Sequence, residues 1–277
     1  LDDAYSFIKY YCFDECDYWR LYGHASFFKG WTWGVFTLMQ RYFLKKINGE
    51  FLLEQEDIFH IEKVMRARIG DHFEIVDDQS VKEVEITSLK PLVYHSIHSR
   101  PLEKSKYPIT LFYCLPKGDK MELVLQKATE LGIHEVYGVI SSRTIVRLEK
   151  KDQEKKKVRY QKIMKEASEQ CLRDDIPTFQ DIIDFKSLKN YHFDHMLIAY
   201  EGEKGNTHHL YEEILKIKPG EKTAILIGAE GGFSKEEVEF VTSLGYLSIS
   251  LGKRILRSET AAIASIAFLS LLLERDD

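Results

Sequence analysis

LIGAEGGFS at residues 226–234 and LGKRILRSETA at residues 251–261 decide the fold. Each stretch follows a short apolar, strand-like run, 224–227 and 247–251, and each leads into a helical pattern. Two strand-to-loop-to-helix corners about 25 residues apart place bare backbone donors and acceptors at one end of a sheet. In open α/β folds that end is where ligands bind. The first corner is neither a phosphate loop, which needs Gly-x-x-x-x-Gly-Lys-Ser/Thr, nor a Gly-x-Gly-x-x-Gly dinucleotide fingerprint. Gly228, Gly231 and Gly232 read instead as points of positive φ or of close approach to a flat ligand. In the second corner Lys253, Arg254 and Arg257 gather positive charge, Ser258 is placed to cap the last helix, and Glu259 falls in its first turn.

Outward from these corners, strands and helices alternate. Strands are expected at 109–115, 136–141 and 196–200, and helices at 120–131, 155–171, 210–217, 235–241 and 259–272, a pattern that argues for a mainly parallel α/β sheet. Residues 39–100 read differently. A helical stripe at 54–66 and strands at 72–76, 81–87 and 92–98 suggest a compact β-barrel, and the proline-bracketed stretch 101–108 reads as a linker. Residues 1–38 hold all three tryptophans without a clean period and read as an appended, possibly non-native leader, with Met39 as the natural start of the folded protein. Cys12, Cys16 and His24 lack a fourth ligand and the usual paired spacing, so no zinc site is expected.

The chain has 277 residues and a net charge of −5, so any nucleic-acid contact must use local basic patches. Its longest apolar run, 261–273, is interrupted by serines and falls short of the ~20 residues of a membrane span. Four scattered cysteines indicate a reducing, cytoplasmic setting without a disulfide framework.

The two corners, in the form IGxEGGFSxxE followed by LGxRILRxETA, strongly resemble the ribosomal RNA small subunit (16S) uridine-N3 methyltransferases, a branch of the SPOUT (α/β-knot) superfamily. MQRYF at 39–43, MELVLQKATELG at 121–132, SSRTIV at 141–146 and EASEQCLRDDIP at 166–177 extend the resemblance over all but the leader. Two departures are Ala229, where the family usually has proline, and Leu172, where a small residue commonly precedes the arginine.

The resemblance implies a C-terminal trefoil-knotted methyltransferase domain over 109–277, a smaller N-terminal PUA-like β-barrel, a homodimer and S-adenosylmethionine as cofactor. Carried over by position, the cofactor contacts are Ala199, Tyr200, Glu201, Gly228, Ala229, Glu230, Gly231, Gly232, Leu251, Gly252, Ile255 and Leu256. The implied reaction is methyl transfer to N3 of one uridine of 16S ribosomal RNA. Arg257 is the first candidate to stabilise the uracil anion, followed by Lys127, Arg173 and Arg41. Glu259, at a helix start, is expected to be a weak base. The apolar last helix is a candidate dimer interface. Basic patches expected to meet RNA comprise Arg41, Lys45, Lys46, Arg66 and Arg68, and a second group of Lys150 to Lys157 with Arg159 and Lys162. A ribose 2′-O-methyltransferase of the same fold usually carries Ser-Leu-Asn-Val where this chain has Leu256-Arg257-Ser258-Glu259-Thr260. A non-catalytic RNA-binding or assembly protein is the reading from another class. No metal is expected.

Overall fold

In the computed structural model, residues 40–144, 149–200 and 208–274 are described. The leader with Cys12, Cys16 and His24, Met39, part of the SSRTIV motif and Glu201 lie outside the described residues. Met39–Asp277 forms one compact unit.

Its N-terminal part is a four-stranded sheet. Strand β1 (Arg41–Phe43) pairs in parallel with β4 (His72–Val76), which continues antiparallel into β5 (Ser80–Leu89) and β6 (Leu92–Pro101). Between β1 and β4 lie a hairpin of β2 (Lys45–Ile47) and β3 (Glu50–Leu52) and a short helix α1 (Gln55–Phe59). The expected helix at 54–66 is thus split, because α1 passes into a wider π-type turn at His60–Val64. This hairpin is not among the sequence-based expectations; its turn is Asn48-Gly49, whose φ values of 52° and 92° are those a two-residue type I′ loop requires. Tyr42, Ile61, Phe73, Ile75, Val84 and Ile86 close a small core beneath the sheet, an arrangement compatible with a small barrel.

The larger part carries seven parallel strands: β7 (Ile109–Cys114), β8 (Glu135–Ile140), β9 (Thr178–Asp184), β10 (His195–Ala199), β11 (His208–His209), β12 (Thr223–Ile227) and β13 (Leu247–Ser250). Their spatial order is β11-β13-β10-β12-β7-β8-β9. The central strands ITLFYC and TAILI are buried throughout, as continuous apolar runs in a sheet covered on both faces should be. The period of two sends Leu111, Tyr113, Ile225 and Ile227 to one core, and Phe112, Cys114, Ala224 and Leu226 to the other. The helices are α2 (Lys120–Glu130), α3 (Lys150–Gln170), α4 (Leu210–Ile214), α5 (Lys235–Ser243) and α6 (Ser258–Leu273). Strand β9 has no sequence-based counterpart: it is an edge strand in which only Phe179 is buried, so its apolar alternation is weak.

Two polar clusters join the parts. Arg41 is 3% exposed and donates to Glu74 from Nε (2.9 Å) and Nη2 (2.6 Å), to Asp174 from Nη1 (2.7 Å), and to the Leu172 carbonyl. Asp174 also accepts from Arg100 and from the Glu103 N–H. Leu172 itself sits just past α3 at φ 59°, a left-handed position that favours glycine. That conformation suits glycine better than any residue with a Cβ. Leu172→Gly should therefore raise stability by about 0.5–1 kcal/mol, since the side chain is 40% exposed and its removal costs little packing. Denaturant unfolding checks this, and a destabilised variant contradicts it.

The second cluster centres on α3. Lys165 Nζ lies 3.1 Å from Glu54, 3.0 Å from Asp57 and 3.5 Å from Glu169. Glu169 is buried, and its Oε1 makes no hydrogen bond among the described residues. Burial raises its pKa from 4.5 to about 7, although Lys165 opposes the rise. Between those values the folded chain holds a proton that the unfolded chain has released, so stability falls as pH rises from about 5 to 7. Glu169→Gln should flatten this slope, removing a loss of roughly 1–3 kcal/mol across that window. Urea unfolding of both proteins at pH 5 and pH 7 measures it; identical pH dependence would sink the assignment.

Candidate functional site

The chain leaves β7 through α2 toward β8 and β9, whereas it leaves the neighbouring β12 through α5 toward β13 on the other side. The switch point of the sheet therefore falls between β7 and β12, where a crevice opens at the carboxyl ends of the strands. A cavity of about 770 Å³ lies there, within the usual range for small-molecule sites. Segments following β7, β8, β10, β12 and β13 all contribute to its lining.

Of the expected cofactor contacts, Ala199, Tyr200, Gly228, Ala229, Glu230, Gly232, Leu251, Ile255 and Leu256 line this cavity. Gly231 and Gly252 do not. The glycine requirement is also internal in part. A Cβ at Gly228 would fall 3.2 Å from Gly232 Cα and 3.2 Å from the Phe233 ring, and one at Gly231 would fall 3.1 Å from Arg143 Cβ. These residues fold the loop onto itself and its neighbours, while Gly232 alone of the three has positive φ, 63°.

The loop is held from behind. Ser234 caps α5 by accepting from the Glu237 N–H, and Glu237 accepts from the Ser234 N–H (2.9 Å) and from the Ser142 N–H (2.7 Å). One capping box thus ties the loop after β12 to the loop after β8. Arg143 Nη1 donates to the Gly231 carbonyl at 2.7 Å.

Among the expected catalytic cations, only Arg257 lines the cavity. It occupies the residue before α6, is exposed, and its side chain makes no capping hydrogen bond. Lys127 pairs with Glu130 on the outside of α2. Arg173 binds Asp175 and the Thr129 carbonyl. Arg41 is consumed by the buried cluster described above, so neither catalysis nor RNA contact is open to it in this conformation. Ser258 does not cap α6; it is the first helical residue, and its hydroxyl lies 3.1 Å from the buried Tyr113 hydroxyl.

Three lining cations were not singled out from the sequence: Lys120, Arg143 and Lys235. Lys120 begins the helix after β7, so the switch-point rule that marks the glycine corners marks it too. Its Nζ lies 2.9 Å from Glu230 and 3.3 Å from Glu259. Burial alone would raise the Glu230 pKa, but the Lys120 hydrogen bond and backbone N–H donors outweigh it and hold it below the usual carboxylate range. Glu259 is likewise held low, by a backbone N–H at the helix start and then by Lys120. Both carboxylates are therefore weak bases. Cys114 is fully buried and its thiol is pushed up to about 12, so it is no nucleophile, and no described cysteine lines the cavity.

The basic patches are largely self-paired. Lys45 binds Glu54, Lys46 lies 3.6 Å from Asp78, Arg159 binds Glu122, Lys157 binds Asp181 and Lys162 binds Glu56. Arg66 and Arg68 are exposed, with no ion pair among the described residues. Among the described residues there is no group of His, Cys, Asp and Glu able to hold a metal ion, and no helix long and apolar enough to cross a membrane.

Residues 103–270 match the family described as the RNA methyltransferase domain. Ribosomal RNA small subunit methyltransferase E of Bacillus subtilis (strain 168) is 33% identical over 255 residues, covering 86% of this chain and all of that protein. The same-named protein of Mesomycoplasma hyopneumoniae is 33% identical over 230 residues, 81% of this chain and 96% of its own. Among solved structures, ribosomal RNA small subunit methyltransferase E of Neisseria gonorrhoeae, bound to S-adenosylmethionine, superimposes with a TM-score of 0.72 at 29% identity, covering 84% of this chain and 98% of that one. A putative methyltransferase of Legionella pneumophila with bound S-adenosylmethionine gives 0.73 at 27% identity, with the same coverage of 84% and 98%.

Proposed function

Because the chain belongs to the ribosomal RNA small subunit methyltransferase E family, we propose that it transfers a methyl group from S-adenosylmethionine to N3 of one uridine in 16S ribosomal RNA. The observation that carries this reading is the placement of Arg257, a cation with no ion pair among the described residues, at a cavity whose lining combines the glycine corner after β12, apolar side chains and the Lys120–Glu230 pair.

The cavity suits the cofactor. Ala199, Leu251, Leu256 and the backbone of Gly228, Ala229 and Gly232 offer an apolar slot with N–H and C=O groups for an adenine, and the Lys120–Glu230 pair provides both charges for an amino-acid end. S-adenosylmethionine, when bound, supplies an electrophilic methyl group. Uracil N3 carries a proton and is a poor nucleophile until that proton leaves. Arg257 stabilises the negative charge that then spreads over O2 and O4. Glu230 and Glu259, both held low by Lys120 and backbone donors, are too weak to take the proton, so Arg257 promotes its loss to solvent. Leu256 to Thr260 do not follow the Ser-Leu-Asn-Val pattern of a ribose 2′-O-methyltransferase, which favours the base over the sugar.

The reading includes a knotted C-terminal domain, supported by the entry of β12 between β7 and the earlier β10. It also includes a PUA-like N-terminal domain that uses Arg66 and Arg68 on RNA, a cytoplasmic location and a homodimer. Helix α6 is apolar on all sides, yet Phe268 and Leu271 are 55% and 70% exposed. A helix of that kind is normally covered all round, and a second copy of the chain would cover it. Calorimetric titration with S-adenosylmethionine should give one site per chain; no heat of binding would remove the cofactor assignment. Sedimentation equilibrium should give twice the chain mass.

A further inference from the structure

Four cations line the cavity: Lys120, Arg143, Lys235 and Arg257. Two are engaged within the chain, Lys120 by Glu230 and Glu259, and Arg143 by the Gly231 carbonyl. Lys235 and Arg257 make no side-chain hydrogen bond or ion pair among the described residues, although the Lys235 charge acts on the neighbouring Glu236. Arg257 has the uracil to serve. Lys235 has no counterpart in that account, and the cofactor does not supply one: its two cationic centres outnumber its single carboxylate.

Helix stability does not explain Lys235 either. It is the first residue of α5, where a cation opposes the helix macrodipole. The capping box takes two of the open N–H groups of that turn, those of Ser234 and Glu237, and Glu236 and Glu237 already set negative charge there, so no anion site is assigned to the helix end itself. What remains is an exposed ammonium on the cavity rim, kept at a position where local stability disfavours it. A nucleotide that delivers its base into the cavity brings its own backbone phosphates to that rim. Resting on the RNA-methylation reading above, we propose that Lys235 is a positioning residue that holds a phosphate of the RNA chain beside the target nucleotide. An ammonium on a flexible stem suits this task, because it binds phosphate as a point charge without demanding one orientation.

The test uses the full chain, small-subunit ribosomal RNA, and the variants Lys235→Ala, Lys235→Arg and Lys235→Glu. Filter binding across a salt series and steady-state methylation are measured in parallel. Lys235→Ala should weaken RNA binding and raise KM for RNA by about tenfold, with kcat and S-adenosylmethionine affinity unchanged. The slope of log affinity against log salt should fall by about 0.7–1, the signature of one lost phosphate contact. Lys235→Arg should restore both. Lys235→Glu should bind RNA more weakly still while melting no lower than the parent, because an acid at this position favours the helix. An unchanged salt slope in Lys235→Ala, or a loss that follows cofactor affinity or melting temperature instead, overturns the proposal. A parent chain that binds RNA with a Lys235-dependent slope yet transfers no methyl group would instead overturn the methyltransferase reading and leave the phosphate contact standing.

Discussion

Arg257→Ala should lower single-turnover methyl transfer by about 10²–10³-fold while leaving the affinity for S-adenosylmethionine within about twofold of the parent. The reason is positional. The Arg257 side chain makes no capping bond to α6 and pairs with nothing among the described residues, so its loss removes no structural contact. Its backbone carbonyl still accepts from the Ala261 N–H at 2.8 Å, which any residue there would preserve. What disappears is a positive charge on the rim of the cavity, where the uracil anion would develop. A lysine in its place would keep the charge but lose the planar fork, so Arg257→Lys should recover only part of the rate. Near-normal turnover in Arg257→Ala would take Arg257 off the catalytic list and leave Lys120 as the next lining cation to test.

The second large effect concerns the fold. Asp174→Ala should destabilise the chain by about 2–4 kcal/mol, because it removes a buried carboxylate shared by two guanidiniums and leaves Arg41 with Glu74 as its one remaining carboxylate partner. Asp174 is 5% exposed at its side chain and accepts hydrogen bonds from Arg41, from both terminal nitrogens of Arg100, and from the Glu103 N–H. Burial pushes its pKa up, but the Arg100 hydrogen bonds, the Glu103 N–H and the charges of Arg100 and Arg41 prevail and hold it below the usual range. The stabilisation is therefore present at neutral pH and is lost as pH falls through the folded-state value. Urea unfolding of Asp174→Ala at pH 7 measures the effect. A loss below about 1 kcal/mol would show that solvent or a neighbouring carboxylate compensates the two arginines, contrary to a buried-network account.

These two residues also show what a linear sequence discloses. The second glycine corner was legible because its parts are local, a strand end, a glycine and a helix start within a few positions, but that pattern gathered Lys253, Arg254 and Arg257 alike, and of the three Arg257 alone lines the cavity. The switch point follows from the same local pattern once strands and helices alternate. Arg41 was misread because its partners lie 33 and 133 residues away, and nothing near it in the chain marks it as buried. Lys127 illustrates a subtler failure. It lies two turns beyond Lys120 on α2 and so near the same face, but only the first turn of that helix reaches the cavity. Lys120 and Arg143 escaped notice because their roles depend on Glu230, Glu259 and the Gly231 carbonyl, groups brought to them by other strands. Strand β9 was missed because an edge strand with one buried side chain does not carry the alternation that reveals a half-buried one.

The most direct test of the function is to incubate the full chain with small ribosomal subunits lacking the modification and with methyl-labelled S-adenosylmethionine, then digest the 16S ribosomal RNA to nucleosides. The account predicts that the label appears in N3-methyluridine, at about one per RNA molecule for a single target site. Label in a 2′-O-methylated nucleoside, or no transfer to RNA from a chain that binds the cofactor, would contradict it.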